Sequence, residues 1–414
     1  MPRHPARTVR YRKESALIPS PVRPLAVDGA QTQRTRLLFF GFDASEPSHI
    51  RRIRAYTDCG FDVSAATMRR DGQGAGPDSG VFWDNIHLGT TRHAAMGQRL
   101  RAIAGAIAAL PRHRKRLSGF DVIVARNLDM LAIATAARAM MRPAPPLIYE
   151  CLDIHGLMTN PGRKGRVARA FERRLLARTS ALIVSSPAFV ERYFAPLQGW
   201  SGPVALLENK LWLGPGPAFR PAPEAVKPRA AGDPLVLGWV GALRCARSLA
   251  ILAETARRLG DGIEVRMHGI VHRHALPDFD ATLVAHPNLR YLGPYAYPDG
   301  LARIYADCDL VWSQDLWQWG TNSTWLLPNR IYEAGFYGCP SVAVAGTETG
   351  RRVGDGLGWT IPTPSVDELC ALLARLDAPE IAARRQMLLS RPDSDFRQTC
   401  AEIRAAVEQP LTHR

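Results

Sequence analysis

A carboxylate, a guanidinium and a glycine turn fall together between Leu326 and Gly350, in the segment LLPNRIYEAGFYGCPSVAVAGTETG. Pro328 suits the first turn of a helix, where its missing N–H costs nothing, and the run to Tyr337 continues that helix until Gly338 and Pro340 end it. Ser341 to Ala345 is short, apolar and β-branched, and reads as a buried parallel strand. Glu333 is therefore expected on a helix packed beside a sheet, where a carboxylate needs a partner. Arg330, one turn earlier, offers a salt bridge. The functional alternative is a carboxylate that receives ligand hydroxyls where the helix opens onto the C-terminal ends of the strands.

A second cluster, LGWVGALRCARSL from Leu237 to Leu249, reads as a strand, a turn at Gly241 and a helix start carrying Arg244 and Arg247. Main-chain N–H groups, the helix dipole and guanidinium forks at such a place would neutralise a diphosphate. His268 and Gly269 end another strand of this half, and the loop Gly320 to Ser323 offers the Asn322 amide and the Ser323 hydroxyl to a sugar. Asp307-Cys308-Asp309 has the Asp-x-Asp spacing that can bind a divalent cation, but it runs directly into the strand LVWS and reads as structural. No essential metal is expected. In the first half, YECLDIHG sets Glu150, Asp153 and His155 just past a strand end, and Glu46 and His49 follow the first strand in a similar way. A carboxylate and histidine pair can orient or deprotonate an acceptor hydroxyl. The plainer alternative is an N-cap at Asp153 with a solvent-facing histidine.

These groups need strands to hold them. RLLFFGF (Arg36 to Phe42), Phe61 to Ala65, DVIVA (Asp121 to Ala125), PLIYE (Pro146 to Glu150) and ALIVS (Ala181 to Ser185) alternate with helical segments, which implies a parallel, doubly wound sheet. The pattern restarts after Gly214 to Pro234, a stretch crowded with proline, glycine and alanine that reads as a linker. The expected organisation is a basic disordered arm over 1–33, an N-terminal Rossmann-like domain over 34–213, the linker over 214–234 and a second Rossmann-like domain over 235–395. Residues 396–414 complete the chain. Two such halves enclose a cleft, and ligands of open α/β sheets bind at strand C-terminal ends.

With 414 residues, two domains are the default, and 46% hydrophobic with 22% charged residues describes a globular chain. No apolar run approaches the roughly 20 residues that span a bilayer, and the basic N-terminus is followed by prolines instead of an apolar signal core. Seven cysteines, odd in number and scattered, indicate neither a disulfide framework nor a zinc site, and a cytoplasmic setting is expected. The net charge of +15 is concentrated in the first half. Seven Arg or Lys lie between Arg92 and Arg116 without an acid, and seven between Arg163 and Arg178 with only Glu172 opposing. The first of these runs carries apolar residues at helical spacing, so it reads either as an amphipathic membrane-surface helix or as an ordinary solvated one. The chain has no helix-turn-helix, zinc-finger or aromatic-basic RNA motif, and nucleic acid is not expected as a partner.

The segment Pro328-x-Arg330-x-x-Glu333 with its glycine and proline-containing strand resembles the C-terminal signature of GT-B glycosyltransferases of group 1, or family 4. The loop around Gly241 and Arg244 resembles that family's post-linker glycine-arginine loop, and YECLDIHG its Tyr-Asp-x-His-Asp region. The resemblance implies an α/β fold of two Rossmann-like domains facing each other across a cleft, with a last helix crossing back to the N-terminal domain. It implies donor binding by Gly241, Arg244, Arg247, His268, Gly269, Asn322, Ser323, Arg330 and Glu333, with Asp153, His155 and Glu46 acting on the acceptor. Two places depart from the family pattern. Trp325 stands eight before Glu333, where a second glutamate is common, and Leu249 stands where a lysine is usual, so Arg247 is the expected substitute. The implied activity is metal-independent, retaining hexosyl transfer without a cofactor, from a UDP-sugar to a polyprenyl-diphosphate-linked or other saccharide acceptor in exopolysaccharide assembly. The protein would work at an anionic membrane surface on the cytoplasmic side. A GT-B nucleotide-sugar epimerase and a non-catalytic nucleotide-sugar binder are the alternatives.

Overall fold

The computed structural model describes residues 34–70, 81–91 and 96–412; the expected basic arm at 1–33 lies outside them. Seven parallel strands form the first sheet: β1 (Arg36–Gly41), β2 (Asp62–Arg70), β3 (Asp84–Thr91), β4 (Val122–Arg126), β5 (Leu147–Cys151), β6 (Ala181–Val184) and β7 (Val204–Leu206), in the order β3-β2-β1-β4-β5-β6-β7. The second sheet holds β8 (Leu235–Leu243), β9 (Ile263–Val271), β10 (Leu289–Tyr291), β11 (Leu310–Trp312), β12 (Ser341–Val344) and β13 (Gly358–Ile361), in the order β10-β9-β8-β11-β12-β13. Each order reverses beside its first strand, so each half has a switch-point crevice at the C-terminal ends of its strands. β1, β4, β5 and β6 are almost wholly buried, as runs such as VIVAR and ALIV require when helices cover both faces. Leu38, Ile123 and Tyr149 belong to the core on one face of the first sheet, and Leu37, Val124 and Ile148 to that on the other.

Residues 214–234 run between the sheets with only a short 3₁₀ turn at Pro223–Ala225. Arg220 pins this stretch to the second half, donating to the carbonyls of Phe336 (2.8 Å), Arg391 (2.7 Å) and Leu388 (2.6 Å). The last helix, Cys400–Thr412, packs on the first-half helix Pro47–Asp58 and on β7. That return corrects the reading of the cysteines. Cys59 and Cys400, 341 residues apart, are disulfide-bonded, a pairing no local spacing could announce. Cys151, Cys245, Cys308 and Cys339 are free and buried, as small core residues are.

Candidate active site

A cavity of about 430 Å³ opens between the two sheets at these strand ends. From the first half it receives Arg51 and Arg52 of the helix Pro47–Asp58, Arg126 from the end of β4, and Asp153 beyond β5. The second half brings Gly241, Arg244, Arg330, Glu333 and the aromatic pair Tyr295 and Tyr297.

Glu333 lies on the helix Asn329–Phe336, with Pro328 at its N-cap, and is 5% exposed. Its hydrogen-bond partner is the hydroxyl of Tyr305, which donates to Oε2 at 3.1 Å, and the expected pairing with Arg330 gives way to it. Arg330 turns Nη1 to the carbonyl of Trp312 at 3.3 Å instead. Burial raises the Glu333 pKa, while the charge of Arg51, the Tyr305 bond and Arg330 pull it back. Arg51 reaches this region from the other half, stacking 4.3 Å from the centroid of Tyr297. Tyr295 and Tyr297 are raised by burial and then by the Glu333 charge, which marks the aromatic end of the cavity as the Glu333 end.

Gly241 is not at a turn. β8 continues through it to Leu243, in register with Gly269 of β9, which likewise lies inside its strand. The two backbones touch: a Cβ at Gly269 would sit 1.8 Å from the Gly241 carbonyl oxygen. Gly241 itself has a φ of +112°, and a Cβ there would meet only Arg330 Nη2, at 3.8 Å. The missing side chain keeps strand backbone open to the cavity. The turn comes at Arg244, and Cys245 caps the helix Ala246–Leu259. Arg244 is 3.7 Å from Asp315, an acid the sequence reading missed three residues past β11.

A second cavity, of about 1000 Å³, adjoins the first and is largely apolar, with Leu100, Ile103, Leu157, Val167 and Phe171 among its walls. Asp153, Arg244 and Asp315 line both cavities and so form their common wall. Asp153 keeps an exposed side chain within the cleft, and desolvation by the surrounding protein raises its pKa; Asn322 and the Arg244 charge oppose the shift, and Asp315 adds to it. Asn322 donates from Nδ2 to Asp153 Oδ1 at 3.0 Å, and Ser323 donates from Oγ to Asp315 Oδ1 at 2.9 Å. The polar groups of the Gly320 to Ser323 loop thus hold the two acids. His155, not Asp153, caps the short helix Gly156–Thr159, accepting the Leu157 N–H on Nδ1 at 3.1 Å. It lines the second cavity, and burial and then Arg99 lower its pKa.

Other expected residues stand outside both cavities. Glu46 occupies the N-cap position of the helix Pro47–Asp58 without a side-chain cap bond, and His49 is buried against Phe39 with its pKa lowered to about 4 by burial and Arg126. Arg247 covers the ring of Trp319 at 5.3 Å, and His268 faces Arg266 and Asp307. Glu150 is wholly buried, held bidentately by Arg126 at 3.0 Å and by Arg52 Nε at 2.9 Å. Burial pushes its carboxyl up, and the two arginines more than reverse this. Asp309 is structural, accepting the Val236 N–H at 2.8 Å, and no metal-holding cluster of His, Cys, Asp or Glu occurs among the described residues.

Residues 51–210 match the glycosyl transferase 4-like domain. The chain is 38% identical over 342 residues to the succinoglycan biosynthesis protein ExoL of Rhizobium meliloti (strain 1021), covering 82% of this chain and 84% of that protein. Among solved structures it resembles Anabaena Alr3699/HepE in complex with UDP and glucose, at a TM-score of 0.62 and 15% identity over 92% of this chain and 100% of the other. Sucrose-phosphate synthase from Thermosynechococcus elongatus gives a TM-score of 0.64 and 12% identity over 88% and 95%. At these identities the structural likeness establishes the GT-B fold.

Proposed function

The chain belongs to the glycosyl transferase 4-like family of glycosyltransferases, and from that premise we propose that its first cavity takes a UDP-sugar and its second the acceptor of an exopolysaccharide-assembly step. The observation that carries this reading is the wall of Asp153, Arg244 and Asp315 common to both cavities, where a donor sugar and an acceptor hydroxyl would meet. The base would lie at Tyr295 and Tyr297, the ribose hydroxyls on Glu333, and the diphosphate beside Gly241 between Arg330 and Arg244. Guanidinium groups, not a metal ion, then carry the charge of the departing UDP. HepE, named as a complex with UDP and glucose, supports this choice of donor. Asp153, with its raised pKa, orients the acceptor hydroxyl and takes its proton if the reaction inverts; in a retaining reaction it orients alone.

The acceptor is a lipid-linked saccharide of the polyprenyl-diphosphate type. Leu100, Val167 and Phe171 are 59%, 70% and 46% exposed at the mouth of the second cavity, beside the exposed cations Arg101, Arg163, Lys164, Arg166, Arg173 and Arg174. That combination suits an anionic membrane surface on the cytoplasmic side, approached peripherally. Among the described residues no helix is long and apolar enough to cross a membrane.

The test is calorimetric titration of UDP, GDP and ADP into the wild type, Glu333→Ala and Arg244→Ala. Magnesium-independent binding of UDP, weakened by both substitutions, is expected; no binding of any of the three would remove the basis for the donor site. Release of UDP from a UDP-sugar only when acceptor is present separates transfer from epimerisation and from mere binding.

A further inference from the structure

We propose that Trp317 is the stacking platform for the acceptor's saccharide in the second cavity, an assignment that rests on the transferase reading above. Trp317 is 45% exposed and lines that cavity, although a side chain of its size is ordinarily covered. Its loop is fixed at the common wall: Asp315 Oδ1 accepts the Trp317 N–H at 2.7 Å and the Ser323 hydroxyl at 2.9 Å, and Ser323 Oγ accepts the Gln318 N–H at 2.7 Å. The backbone that carries the indole is therefore anchored on the same carboxylate that faces Arg244. Trp319, two residues on, already has the Arg247 guanidinium 5.3 Å from its ring centroid.

The surroundings match a sugar better than a hydrocarbon. A pyranose has an apolar C–H face and a rim of hydroxyls, and an indole offers a rigid apolar face to the first while nearby polar groups take the second. Around Trp317 those groups are Gln318, Asn322, Asp153 and His155, and Gln318 Oε1 has no hydrogen-bond donor among the described residues. A lipid chain needs none of them. Its counterpart is the apolar wall of the cavity, supplied by Leu100, Ile103, Val167 and Phe171 of the helices Met96–Ala109 and Arg163–Leu176. The cavity thus offers two kinds of wall, with saccharide on Trp317 beside the reaction wall and lipid on the apolar helices.

The experiment titrates hexyl β-glucoside and hexyl phosphate, each below its micellar concentration, into the full chain with UDP bound, using wild type, Trp317→Ala and Trp317→Phe. The readout is ligand-observed NMR on the pyranose and alkyl protons. The glucoside's ring protons should receive saturation and shift upfield in the wild type and in Trp317→Phe. Trp317→Ala should weaken the glucoside roughly tenfold, leaving hexyl phosphate and UDP affinities unchanged. Equal glucoside affinity in wild type and Trp317→Ala, contact through alkyl protons alone, or no glucoside binding to a UDP-loaded protein would each overturn the platform. A parallel loss of UDP affinity in Trp317→Ala would assign the residue to folding or to the donor site instead. A wild type that fails to bind UDP refutes the transferase reading itself, which keeps the two failures apart.

Discussion

Asn322 of the second half spans the cleft to Asp153 of the first: its Nδ2 donates to Asp153 Oδ1 at 3.0 Å while its Oδ1 accepts the Ile154 N–H at 2.8 Å. The acid common to both cavities is therefore oriented by the opposite half. Closing the cleft and fixing the acid are one event, which links domain geometry to the chemistry of the site.

Replacing Asp153 by Asn should separate stability from activity. Desolvation in the cleft raises the folded pKa of Asp153 above its unfolded value, so the native state holds this proton longer. The stability it contributes is complete below the unfolded pKa and is lost as pH rises through the folded one. At pH 7 the charged side chain is a liability that Asn removes. Transfer should fall roughly hundredfold or more, with the melting temperature at pH 7 unchanged or higher. A melting temperature that drops at pH 7 but not at pH 4 would reverse the sign and defeat the argument.

Glu333 is expected to report on Arg51 through pH. The Arg51 guanidinium is the strongest influence opposing the burial shift of Glu333, so Arg51→Ala should raise that carboxyl further. UDP affinity, measured across pH, should then decline at a higher pH in Arg51→Ala than in the wild type. Glu333→Gln, which removes the charge, should weaken UDP roughly tenfold to hundredfold at neutral pH. Superimposable pH profiles in wild type and Arg51→Ala would exclude the coupling.

The sequence disclosed the strands whose burial leaves a continuous apolar run, such as Val122–Arg126 and Leu147–Cys151, and the helix bearing Glu333. It hid β3, an edge strand mixing Asp84, Asn85 and His87 with Ile86 and Leu88, and β7 and β13, which have three and four residues. Gly241 and Gly269 looked like turns because glycine punctuates chains, but here it serves a close approach between strands. Arg51, Arg126 and Asp315 were illegible for another reason. Each is an ordinary charged residue near a strand or helix end, and only the facing of two sheets brings them together.

Loss of the Glu150 carboxylate should be among the costliest single changes in the first half. Its side chain is wholly buried between Arg126 and Arg52, and both of these also border the donor cavity. Glu150→Gln leaves two buried guanidinium groups without their counter-charge, at about 3–5 kcal/mol. Urea denaturation should show that loss. A change below about 1 kcal/mol would mean that water already shares the site.

The membrane reading yields a charge test. Val167 and Phe171 lie one turn apart on the exposed face of the helix Arg163–Leu176, surrounded by its arginines. Val167→Asp with Phe171→Asp removes apolar contact and adds repulsion from acidic lipid without touching the core. Sedimentation with vesicles containing phosphatidylglycerol should drop to the level seen with neutral vesicles, while UDP affinity stays as in the wild type. Wild-type protein that ignores such vesicles at physiological salt would end the membrane proposal.

The Cys59–Cys400 bond should make the second half's return to the first sensitive to reductant. Cys400 opens the last helix two residues after Gln398, whose Nε2 donates to the Glu208 carbonyl at 2.7 Å and whose Oε1 accepts Arg52 Nη1 at 3.1 Å. Gln398 and Arg52 both line the donor cavity, so the bond fastens the chain beside the site as well as at its end. Removing a native disulfide typically costs about 2–4 kcal/mol, mainly by freeing the unfolded chain. Wild-type protein should melt lower with dithiothreitol than without, and Cys400→Ser should melt at the lower temperature in both conditions. UDP affinity at 25 °C, where the fold persists, should change little, because the Gln398 and Lys210–Glu402 contacts still hold the helix start. Identical melting of wild type with and without reductant, with free thiols counted at both positions, would show the pair to be reduced and the last helix to be held by packing alone.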